Sequence, residues 1–100
     1  MIQGFSVPYV VNTLLTAQKT ATTSAAEVFA ASARLAKRHT LVIRNVGTVD
    51  QVIYVGLAGV AANTGFRLYS KESKTIPLVP GLAIYVIAGE NVAYDVEEYA

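Results

Sequence analysis

The residues able to do chemistry are few in this chain, and their spacing is poor for it. There is one histidine, no cysteine, no tryptophan and two aspartates. A hydrolytic or metal-assisted site needs a nucleophile, a base or several metal donors brought together. His39 stands alone beside Arg38 at the start of an alternating segment, so it reads as a strand-end residue and not as a base or a ligand. The carboxylates concentrate at Asp95, Glu97 and Glu98. Calcium could be held by such a group. A charged terminal strand that resists edge pairing accounts for it more simply. Gly56, Gly59 and Gly65 form neither GxGxxG nor a Walker pattern and have no strand-to-helix context. They read as permissive loop positions. The expectation is no catalytic residue, no cofactor-binding residue and no metal, hence no enzyme.

The composition points to contact area instead. Apolar residues make up 53% of the chain and charged residues only 15%, against about 25% charged in an average chain. Much of the surface must then be Ala, Ser, Thr and aliphatic, which favours burial against partner subunits. Six tyrosines (Tyr9, Tyr54, Tyr69, Tyr85, Tyr94 and Tyr99) add rings that both pack and hydrogen-bond. The net charge of +1 leaves no electrostatic footprint for nucleic acid. The short basic cluster Arg34, Lys37, Arg38 reads as a solvated turn or a contact with an acidic neighbour. No run approaches the roughly 18 apolar residues of a membrane helix. The N-terminus lacks a basic region, and its apolar stretch is broken by Pro8, Asn12 and Thr13, so no signal peptide is expected. Synthesis in a cytoplasm, without export by the usual route, is the expectation. Without cysteine, stability must come from packing and assembly.

The elements follow from alternation and turn signals. Residues 1–16 read as an extended N-terminal arm: Val7, Tyr9, Val10 and Val11 favour strand and Pro8 denies a ladder donor. Residues 17–100 form one domain. Residues 19–24 are polar and Thr-rich, fitting an exposed strand. Ser24-Ala25-Ala26-Glu27 is a capping-box pattern, so residues 25–37 read either as a helix or as a short strand through Glu27-Val28-Phe29-Ala30 and a loop with a helical turn near 31–36. Local propensity slightly favours the helix. His39 to Asn45 alternates with Leu41 and Ile43 inward, and Thr40 and Arg44 outward. A turn centred on Gly47 leads to a strand ending at Gly56. Phe66 is expected to anchor a loop exit into the core. Pro77 marks an edge strand. Residues 83–88 are wholly apolar and central. In the last strand Val92, Tyr94 and Val96 face one way, Ala93, Asp95 and Glu97 the other. Short strands with turns about every ten residues predict an all-β fold, an antiparallel β-sandwich or jelly-roll-like barrel.

From Thr22 to Glu98 the chain resembles a group of small bacteriophage structural proteins. The resemblance runs in order through Val28-Phe29-Ala30-Ala31, Leu41-Val42-Ile43-Arg44-Asn45-Val46-Gly47, Ile53-Tyr54-Val55-Gly56, Thr64-Gly65-Phe66-Arg67-Leu68, Lys71-Glu72-Ser73 and Ile84-Tyr85-Val86-Ile87-Ala88, then an acidic last strand. Lys71 departs from it where a Gly is usual, as do the long basic lead Ala33 to Arg38 and the arm. The resemblance favours the strand over the helix for residues 25–37. It implies a virion β-sandwich, often a trimeric capsid decoration (cement) protein seated on the major capsid protein at the outer capsid surface. A phage tail, fibre or head–tail adaptor module is the alternative, and a sugar-binding or cupin-like domain a more distant one. On the decoration reading, Phe5, Val7, Tyr9 and Val11 of the arm contact capsid or neighbour, and Leu57, Val60 and Ala62 supply a second contact loop.

Overall fold

A computed structural model describes residues 13–30, 33–62 and 64–100. Eight strands run in chain order: β1 (Leu14–Ala21), β2 (Ala26–Glu27), β3 (Thr40–Asn45), β4 (Ile53–Gly56), β5 (Phe66–Leu68), β6 (Ser73–Pro77), β7 (Tyr85–Ala88) and β8 (Val92–Tyr99). They form two antiparallel four-stranded sheets, ordered β1-β8-β3-β6 and β2-β7-β4-β5. Successive strands therefore cross between sheets along most of the chain, which is the jelly-roll form of the expected sandwich.

Period-two alternation builds the core. Leu41 and Ile43 of β3, Ile53 and Val55 of β4, Val86 of β7, and Val92, Tyr94 and Val96 of β8 all point between the sheets and are buried. Each such aliphatic side chain contributes roughly 1.5–3 kcal/mol relative to exposure. The wholly apolar run at 83–88 lies inside its sheet as β7, between β2 and β4. Pro77 sits at the end of β6, the edge strand expected for it.

The chain departs from expectation in five places. Thr40, expected to face outward, is buried, and β8, read as a charged strand that resists edge pairing, is no edge but lies between β1 and β3. β1 begins at Leu14, so residues 14–16, assigned to the arm, belong to the sandwich. Leu15 and Ala17 pack against the core and fix that start. The strand near 27–30 is only Ala26–Glu27, and residues 28–39 cross from one sheet to the other with one tight turn, where Ala33 and Arg34 N–H groups donate to the Ala30 carbonyl. The capping-box residues have other partners: Thr22 Oγ1 accepts from the Ser24 N–H, and Glu27 binds Arg34 and Tyr85. Phe66 is not a core anchor. It is half exposed at the start of β5, with Lys74 Nζ 4.1 Å from its ring centroid.

Candidate interaction surface

The loops divide between two ends of the sandwich. Leu14 of β1, Tyr99 of β8, Thr40 of β3 and Pro77 of β6 stand side by side in register at one end. Residues 28–39, 57–65 and 78–84 join strands there. Thr13 and Ala100 exchange both backbone hydrogen bonds at this end, at 3.0 and 3.1 Å. Phe5, Val7, Tyr9 and Val11 lie outside the described residues.

That end is tied together by charge. Arg38 and Glu98 are both fully buried and paired. The Arg38 guanidinium also donates to the Pro80 carbonyl (3.1 Å) and to that of Leu82, while Glu98 accepts the Leu35 N–H at 2.9 Å. Three segments thus converge on one ion pair. Arg34 makes a parallel set of bonds to the carbonyls of Phe29 and Gly81 and to Glu27 (2.9 Å). The basic cluster therefore has acidic neighbours within the chain. Alternation could have shown this: Glu98 shares the inward phase of Val92, Tyr94 and Val96, and a carboxylate there requires a cation. Asp95 and Glu97 point outward as expected, with Gln18 donating to Asp95 and the Tyr99 hydroxyl to Glu97. That bond to Glu97 is the main cause raising the Tyr99 phenol pKa.

The expected contact loop divides by residue. Leu57 is 55% exposed, and Ala62 is exposed too. Val60 instead folds back on the loop. Its Cγ2 would lie 2.9 Å from a Cβ built on Gly56 and 2.6 Å from one built on Gly65, so the glycines leave the space it fills. Ala62 lines a shallow depression on the outer face of the second sheet, with Asp50, Val52, Tyr54, Gly89 and Glu90.

That outer face is the surface the sequence reading missed. Ile87, Tyr54 and Arg67 stand in one row across β7, β4 and β5, and Glu27, Tyr85 and Gly56 in the next. Tyr69 follows beyond β5, half exposed. The Tyr69 side chain, and then Tyr54, push the Arg67 guanidinium pKa further up. Tyrosine and arginine on an outward, partly apolar sheet face are the residue types that anchor protein interfaces. The tyrosines were visible in the sequence, but their gathering depends on long-range register. Tyr94, in contrast, is buried in the core.

No family model matches the chain, and no curated protein matches it. Among solved structures, one described as Bacillus endospore appendages, a novel family of disulfide-linked pili, is similar with a TM-score of 0.53 and 13% identity. The likeness covers 99% of this chain and 96% of that one, and at this identity it concerns the fold: an all-β architecture matched over nearly its whole length.

Proposed function

We propose that this chain is a structural protein that works through contact area, and that its finer role is capsid decoration. The observation that carries the proposal is the outer face of the second sheet. Tyr54, Tyr85, Ile87 and Arg67 line up there beside the exposed loop at Leu57 and Ala62. A sandwich face meant only for water would be expected to carry polar residues at such positions. Several modest contacts of this kind, linked through one rigid subunit, raise avidity by factors of roughly 10² to 10⁴. The sequence resemblance to phage structural proteins supports the major capsid protein as partner, with three copies grouped at the outer capsid surface. A tail or adaptor module would use the same face.

A second reading is favoured by the fold likeness to an appendage protein over nearly the whole of both chains. On that reading the neighbours are copies of the chain itself. They would be held without disulfides, because these 100 residues contain no cysteine. Particles carrying the chain should be compared with particles lacking it, by heat challenge and electron microscopy. Decoration predicts bare capsid sites and a lower disruption temperature when the chain is missing. Equal heat resistance would defeat the cement role, and filaments formed by the chain alone would select the appendage reading.

A further inference from the structure

We propose that two copies of this chain pair β1 to β1 antiparallel about a two-fold axis at Ala17, joining two four-stranded sheets into one of eight. The inference goes beyond the decoration reading and does not depend on it.

Among the described residues, the outer edges of the two sheets are unequal. β2 has two residues and β5 three, too short to template a partner. The edge of β6 is blunted by Pro77. Its ladder to β3 is in phase with the bond from the Leu78 N–H to the His39 carbonyl, so the position lacking an N–H is one that points away from β3. β1 is neither short nor interrupted by proline: it runs eight residues at the sheet edge, with Lys19 as its one charge.

The hydrogen-bond phase of β1 is fixed by Thr13 and Ala100, which exchange both of their backbone bonds. In an antiparallel ladder such pairs alternate. Leu15, Ala17, Lys19 and Ala21 therefore bond β8, while Leu14, Thr16, Gln18 and Thr20 turn their N–H and C=O groups away from it. All four of these residues are exposed, and among the described residues no backbone bond outside the β8 ladder reaches them.

A second copy satisfies these groups in one register. Centring on Ala17 sets Leu14 against Thr20 and Thr16 against Gln18 in both directions, so every outward-turned residue meets another. Lys19 falls opposite Leu15 and away from its own symmetry mate. A shift of the axis to Lys19 would set the two ammonium groups face to face, which like-charge pairing disfavours. The contact is isologous and closes on itself. A monomeric unit becomes a dimer by it, and a trimer becomes a hexamer.

The test is the sedimenting mass of the full chain over a range of concentrations, for the natural sequence and for edge variants. The natural chain should reach an even-numbered species. Gln18→Pro removes an outward N–H without touching the β8 ladder and should halve that mass. A T16K/Q18K chain should also fall to half mass, and so should T16E/Q18E. Mixing these two should restore the doubled species, because each Lys then meets a Glu across the axis. The mixing arm separates pairing from misfolding, since a misfolded chain would not be rescued. A natural chain that never doubles, or a doubled species unaffected by the charge variants, would overturn the inference. Neither result bears on the tyrosine face of the second sheet.

Discussion

Arg38 and Glu98 are buried side chains that carry full charges, and each is held by more than one bond. Taking either charge out of water is costly, so the pair persists only because the Leu35 N–H and the carbonyls of Pro80 and Leu82 complete it. Replacing Glu98 by Leu leaves a buried guanidinium without its anion and should cost about 3–5 kcal/mol in chemical denaturation. The double variant R38M/E98L should recover only part of that loss, because the Leu35 N–H and the two carbonyls stay unpartnered. A fully additive double-variant cycle would show that the two charges do not act as a unit. Tyr94 gives a second residue-scale prediction. Burial pushes its phenol up to about 12, from the usual value of 10.0. The unfolded chain loses that proton first as pH rises, so the contribution is whole below about pH 10 and falls away between about 10 and 12. The loss should reach at most about 3 kcal/mol. A Tyr94→Phe chain should show a flatter stability profile over that alkaline window; an unchanged slope would assign the loss to other groups.

At the scale of elements, the motif Ile43-x-Asn45-x-Gly47 has a structural basis. Asn45 is fully buried, its amide donates to the carbonyls of Gln51 and Leu68 at 2.9 Å, and its Oδ1 accepts the Gly47 N–H at 2.8 Å. A Cβ at Gly47 would lie 2.5 Å from Gln51 Oε1 and 2.8 Å from Val92 Cγ1, so any side chain there would displace both neighbours. Lys71, where the resemblance has glycine, adopts a φ of 69°. A side chain in that left-handed region costs roughly 1–2 kcal/mol, partly offset by the extra freedom glycine has when unfolded. Lys71→Gly should therefore stabilise the fold, by up to about 1 kcal/mol, measured as a shift in denaturation midpoint at constant slope. A loss of stability would mean that Lys71 makes a compensating contact. The strands from β3 onward were legible because alternation and turn residues agree there. The stretch from β1 to β3 was not. Lys19 occupies an inward position that pattern reading gives to an apolar residue, tolerated because its ammonium lies 4.7 Å from the Phe29 ring centroid. The 28–39 crossing is ordered mainly by arginine bonds to distant carbonyls, which leave no periodic trace.

At the scale of the whole molecule, the sandwich and its jelly-roll option were readable from strand count and turn spacing. The order β1-β8-β3-β6 was not, because it rests on pairings between opposite ends of the chain. The contact surface was legible only in part. Leu57 and Ala62 are exposed as expected, Val60 is spent on its own loop, and the row of Ile87, Tyr54 and Arg67 emerges only once three strands are side by side. On the proposed function, this face and its neighbours are covered by protein. Gradient sedimentation of the chain from its native setting tests that most directly, with Y54A/R67A as the comparison. The natural chain should travel with large particles in many copies, and the variant should shift to slow fractions while keeping its fold. A natural chain found only at its own mass of 10.6 kDa, in every fraction and at every concentration, would contradict the account.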